Sequence, residues 1–228
     1  MFGSRRDFLL ASTGVLACLP SPLAAETWMD KKPAEWDSDD IQTILTRSGW
    51  ARYASPELTP SSLRAGEKKG KRVPAAEGLR DKRTLTDFRV LVCWESGLPV
   101  RLARKTNAPA GDAAPHYVLS MSRMPIAFMS ALVGGGKAGK ESADKAEIAN
   151  QILKTSSLQR EGKNPIPADR AEWVEAEFEP RVVISFPQDR QTIEFSDRTV
   201  TFTAQIGTLV IRSLFSLKDM FYHGNLEL

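Results

Sequence analysis

The stretch FRVLVCWES, residues 88–96, decides how this chain is built. Phe88, Val90, Val92 and Trp94 alternate onto one face, Leu91 and Cys93 onto the other. Side chains of a strand point alternately to its two faces. Both faces here are apolar, which places the strand in the middle of a sheet. Next comes GLPVRLARK, residues 97–105, where Pro99 suits a first helical turn and Arg104 and Lys105 suit the C-terminal end. A short helix capped by Ser96 is expected.

Toward the C-terminus, strand patterns recur. HYVLSMS (residues 116–122) and the apolar run VVISF (182–186) read as strands. TVTFTAQ (199–205) sends Val200, Phe202 and Ala204 inward and its threonines outward. Ile206-Gly207 then turns the chain into TLVIRSLFSL, and NLEL makes a short last strand. Residues 164–179, which include AEWVEAEFE, read equally as helix or strand.

Helices flank these strands. In EWDSDDIQTILTRSGW (35–50), Asp37 is an N-cap, with Asp39 and Asp40 in the first turn. Trp36 and Ile41 occupy the positions of a hydrophobic staple. Ile41, Ile44 and Leu45 share a face, and Ser48-Gly49 ends the helix. Pro125 opens a second helix that stops at the glycines from Gly134. A third, over 142–155, turns an apolar face through Ala146, Ile148, Ala149, Ile152 and Leu153. The expectation is an α+β single domain, mainly an antiparallel sheet of five to seven strands with helices packed on one face. Residues 54–84 interrupt it with a Pro-, Gly-, Ser- and charge-rich stretch without periodicity, read as a long surface loop. Its Lys68, Lys69, Lys71 and Arg72 either are simply solvated or touch an anionic surface.

The first 25 residues belong to export and not to the fold. Arg5 and Arg6 form a basic n-region ahead of a short apolar run, too short for the roughly 20 residues that span a bilayer. Ser4, Arg5, Arg6, Phe8 and Leu9 match the twin-arginine signal, lacking its final Lys; a general secretory signal with two arginines is the alternative. Two exits stay open: cleavage after Ala25, or lipidation of Cys18 in Val15-Leu16-Ala17-Cys18. The expected product is periplasmic or secreted, with a lipid anchor only if Cys18 is kept.

Composition narrows the rest. The chain has a net charge of +3, which falls to about +2 without the signal, no balance for nucleic-acid binding. No second apolar run approaches spanning length. Of two cysteines, only Cys93 survives removal of the signal, so no internal disulfide is expected.

Candidate chemistry is thin. Gly134, Gly139 and Lys140 have phosphate-loop spacing, but Glu141 replaces the hydroxyl that holds magnesium. Cys93 reads as a core thiol or, with His116 or His223 as base, a nucleophile. Glu95, near Arg101 and Arg104, reads as an ion-pair partner or as an acid or base. Two histidines and one thiol do not make a metal or haem site at this spacing, so no metal and no cofactor is expected. Trp28, Trp36, Trp50, Trp94 and Trp173 line a groove or fill the core.

Three segments carry a resemblance. Trp36, Ile41, Leu45, Ser48, Trp50 and Ala51 fit W-x-x-x-x-I-x-x-x-L-x-x-S-x-W-A; residues 94–101 fit W-E-S-x-L-P-V-R; residues 217–228 fit L-K-D-M-x-Y-x-G-x-L-E-L. In these the chain resembles a family of small secreted bacterial proteins of unknown function. Gly49 stands where that pattern has Pro, and Gly97 where it has Ala. Both are expected to loosen a turn and a helix start. The resemblance implies a secreted single domain and supplies no activity. The expected function is a monomeric, non-catalytic module that binds an envelope protein, glycan or surface. The alternative is a hydrolase-type enzyme centred on Glu95, Cys93 and His116.

Overall fold

The computed structural model describes residues 27–59, 88–105, 115–125, 141–175, 179–189 and 191–228. The signal residues, Cys18, the helix expected after Pro125, the glycine-rich stretch at 134–140 and residues 60–84 of the expected loop lie outside that set.

Helix α1 (Ser38–Arg47) begins as its sequence dictates. Asp37 Oδ1 accepts from the backbone N–H groups of Asp39 (2.9 Å) and Asp40 (2.8 Å), and Asp40 Oδ2 accepts from that of Asp37 (3.1 Å). Trp36 is buried and Ile41 packs against the same core. At the far end the Ser48 hydroxyl donates to the carbonyl of Ile44 at 2.6 Å.

Ten of the described strands divide between two five-stranded antiparallel sheets, and the last two pair as a separate hairpin. The first runs in the order β1 (Ala51–Ala54), β3 (Val90–Trp94), β4 (His116–Ser122), β8 (Arg181–Pro187), β7 (Arg170–Val174). The second runs β2 (Glu57–Leu58), β10 (Leu209–Ser216), β9 (Thr199–Ile206), β5 (Ser157–Gln159), β6 (Ile166–Pro167). The α+β class and the five-stranded antiparallel sheet are thus present, with a second five-stranded sheet beside the first. One local correction and one resolved ambiguity follow. β2 lies inside the stretch read as open loop, and the ambiguous 164–179 segment contains two strands, β6 and β7.

Register fixes which residues meet between the sheets. Trp94 pairs with Leu119 and Val92 with Met121; Leu119 pairs with Ile184 and Met121 with Val182. Opposed residues share a face, so one apolar surface runs across β3, β4 and β8. The alternating Val200, Phe202 and Ala204 of β9 and Ile211 and Phe215 of β10 are fully buried. Trp94 meets Phe215 edge-on at 5.3 Å, and Phe186 meets Phe202 at 6.2 Å. β3 is buried along its whole length and is flanked by β1 and β4, an interior strand, although β4 and not β3 stands in the middle of the sheet.

Two helices complete the set described. α2 (Leu98–Arg104) is capped by Gly97 and not by Ser96, whose hydroxyl instead accepts from the backbone N–H of Val118 at 3.1 Å. The reason is geometric: Ser96 is still held against β4, its own N–H bonded to the Val118 carbonyl. α1 packs on β1, β3 and α2. α3 (Glu141–Thr155) lies against β7 and β9, bridging the two sheets. It buries Ile148, Ala149 and Ile152, while Ala146 of the expected apolar face is exposed. No helix among the described residues is long and apolar enough to cross a membrane.

The three segments that carried the resemblance meet at one seam. The Trp50 indole N–H donates to the carbonyl of Glu227 at 2.7 Å, and a Cβ at Gly97 would stand 2.5 Å from Trp50 Cδ1. A Cβ at Gly49 would stand 1.8 Å from the backbone oxygen of Asp219. Trp28 stacks on Tyr222 at 5.9 Å, and Trp36 meets both. The two glycines therefore do not loosen the chain; they admit close approaches that no side chain allows.

Gly97→Ala should cost about 1–3 kcal/mol, because the indole must move off its acceptor. Gly49→Ala should cost more, since its obstacle is backbone. Urea unfolding of the two variants checks both; unchanged midpoints would show that the seam gives way.

Candidate functional site

Cys93 and Glu95 follow one another on the outer face of the first sheet, opposite the face that meets the second. Cys93 is 1% exposed. Burial pushes its thiol above the ordinary range and the Glu95 charge adds to this, with Arg104 and Arg181 opposing. A thiol in that state is protonated at neutral pH and is a poor nucleophile.

The Glu95 carboxylate has both oxygens engaged. Oε2 lies 2.7 Å from Arg104 Nε; Oε1 accepts from the Ser120 hydroxyl at 2.5 Å and lies 3.7 Å from Arg181 Nε. It joins the end of β3 to α2, β4 and β8. Removing one member of a buried ion pair costs about 3–5 kcal/mol, because the other charge stays behind.

His116 does not join them. It pairs with Pro187 at the start of β4, whereas Cys93 pairs with Ser120. Four residues of strand separate the two positions by about 13 Å. His116 Nε2 instead lies 2.9 Å from Asp169 Oδ2. His223 sits in the turn between β11 (Phe221–Tyr222) and β12 (Asn225–Leu226), its ring 4.1 Å from that of Tyr222. The thiol, the carboxylate and the imidazoles thus form no shared reaction centre. Among the described residues no cluster of three or more His, Cys, Asp or Glu is placed to hold a metal ion.

Four tryptophans are in the core, and the fifth packs at its edge. Trp28, Trp36, Trp50 and Trp94 are core. Trp173, half-buried on β7, lines a groove of about 870 Å³ between that strand and α3. Lys145, Asn150 and Leu153 form the helical wall; Glu172 and Glu175 edge the strand side. Among the described strands β7 ends its sheet, which leaves the groove a strand-edge floor.

Trp173 is held by its neighbours. Its indole N–H donates to Glu175 Oε1 at 2.9 Å, and Lys145 Nζ reaches the same oxygen at 2.6 Å. The Lys145 hydrogen bond holds the Glu175 carboxyl below its ordinary value, with the Trp173 N–H adding to it. The Lys145 ammonium lies 5.9 Å from the Trp173 ring centre, a cation–π distance. The period-two placement of Ala171, Trp173 and Glu175 was the sequence signal for this wall, but it only counts once the segment is known to be a strand.

No family profile, no curated protein and no solved structure matches the chain.

Cys93 should resist alkylation by iodoacetamide in the native protein and react once in denaturant, as followed by mass. Rapid native labelling at neutral pH would contradict a sealed thiol.

Proposed function

We propose that this chain is an exported, non-catalytic binding module, and that the groove between α3 and β7 takes a short glycan. The observation that carries the reading is Trp173, the half-buried tryptophan at the edge of the core. A sugar ring has an apolar C–H face and an edge of hydroxyls. An indole supplies a large, rigid apolar plate. Lys145, Asn150, Glu172 and Glu175 stand around it with donors and acceptors for hydroxyls. The groove volume falls within the range usual for small-ligand sites, about 300–1,000 Å³.

Export supports the same reading. A glycan binder meets its ligand outside the cytoplasm, and residues 1–25 are proposed to take it there as a twin-arginine signal. The Cys93 and Glu95 placements support binding over hydrolysis, since one is sealed and the other is fully engaged.

Calorimetric titration with short neutral and amino-sugar oligosaccharides tests the groove. Trp173→Ala should weaken binding by about 2 kcal/mol, roughly thirtyfold, with the circular dichroism unchanged. No binding across the panel, or equal binding by the variant, would refute the glycan reading.

Replacing Arg5 and Arg6 together with Lys should leave precursor in the cytoplasm, visible by fractionation. Normal export would sink the twin-arginine assignment. The intact mass of the exported protein separates cleavage after Ala25 from a lipidated start at Cys18.

A further inference from the structure

A second cavity, of about 350 Å³, opens between the β5–β6 turn and the segment before β9. Arg160, Gly162, Lys163, Asn164 and Gln191 line it, so it shares no wall with the Trp173 groove. Arg160 is the unusual member. Its side chain is 2% exposed, a rare state for a permanent cation.

Its hydrogen bonds leave it incompletely satisfied. One terminal nitrogen donates to the carbonyl of Thr192 at 2.9 Å. The other donates to the carbonyl of Asn164 at 3.4 Å and to Gln191 Oε1. Nε is buried and has no hydrogen-bond partner among the described residues. A buried donor without an acceptor is unfavourable, so among the described residues the guanidinium is held through its two terminal nitrogens alone.

Charge is unbalanced in the same direction. Asp197, also 2% exposed, lies 3.8 Å from Arg160, but Lys163 reaches it more closely, at 2.5 Å. Asp197 further accepts from the backbone N–H of Glu194 at 3.0 Å. One carboxylate thus serves two cations, and the residues that line the cavity carry two positive charges and no negative one. Gly162, at φ +68°, has nothing within 4 Å of where a Cβ would stand, which leaves that part of the turn open.

We propose that this cavity binds a small oxyanion, a carboxylate or phosphate group, seated between Arg160 and Lys163 with the Asn164 and Gln191 amides beside it. Arg160 and Lys163 offer charge-assisted hydrogen bonds, the stronger class. Gln191 is the specificity element, because a neutral amide leaves the positive charge of the lining for the ligand to neutralise.

Gln191→Glu separates this from a purely structural arginine. The new carboxylate pairs with Arg160 from within the chain, so the ligand-free protein should hold its melting temperature or raise it while losing the oxyanion. Full-length protein is titrated with inorganic phosphate, with glucuronate and with uncharged glucose, by calorimetry and by ligand-dependent melting shift. Phosphate or glucuronate should bind and glucose should not bind here; whichever anion binds tighter identifies the source. Lys163→Gln, a change at a half-exposed position, should weaken the anion about tenfold, as loss of one charge-assisted hydrogen bond implies. Wild-type protein that binds neither anion overturns the proposal. So does Gln191→Glu protein that binds as wild type does. Loss of oligosaccharide binding in Trp173→Ala leaves this outcome unaffected, so the two sites fail or succeed separately.

Discussion

The bond from the Trp50 indole to the Glu227 carbonyl spans 177 residues of sequence, and the end of the first sheet depends on it. Trp50 precedes β1 and hands its own carbonyl to the N–H of Trp94, the last residue of β3. The indole is fully buried, so its N–H needs an acceptor. It finds one only because Gly97 lets the ring lie against the start of α2 and Gly49 lets residue 219 approach the end of α1. Two absent side chains thus set the distance at which helix, sheet and C-terminal hairpin meet.

Beyond the seam, the fold is two sheets held face to face by aromatic edges. Trp94 on Phe215 and Phe186 on Phe202 set the spacing, and the alternating strands β8, β9 and β10 fill the space between. With four tryptophans committed to core, the surface chemistry falls to what is left at the margins. The Trp173 groove lies at the outer strand of one sheet, and the Arg160 cavity beside the β5–β6 edge of the other. Both sites stand where a sheet ends, where backbone turns and half-covered side chains make concave surface.

The parts of this fold legible in the sequence are those governed by neighbours in sequence. The Asp37 cap, the full burial of β3 and the inward set of Val200, Phe202 and Ala204 each follow from local pattern. Alternation states that one face is buried, but not which sheet buries it, so the division into two sheets was not readable. Ser96 reads as a helix cap yet bonds a strand, because a hydroxyl before a helix and a hydroxyl bonding a neighbouring strand look alike in one dimension. The Glu95 cluster draws on residues 95, 104, 120 and 181, and the Arg160 cluster on residues 160, 163, 191 and 197. Neither has a spacing that could mark it in advance. The same holds for Gly49 and Gly97, whose meaning lies in a backbone oxygen and an indole that come from elsewhere in the chain.

The stacking of Trp28 on Tyr222 adds an order of events to this geometry. Contacts between chain regions so far apart form late, after the loops between them have closed. A ribosome must release the hairpin at residues 221–226 before Trp28, Trp36 and Trp50 can leave water together. Until that hairpin docks, Trp28 and Trp36 lack the Tyr222 ring that lies against them. The seam makes the packing of Trp28 and Trp36 and that of the hairpin at residues 221–226 mutually dependent, since each covers the other's rings.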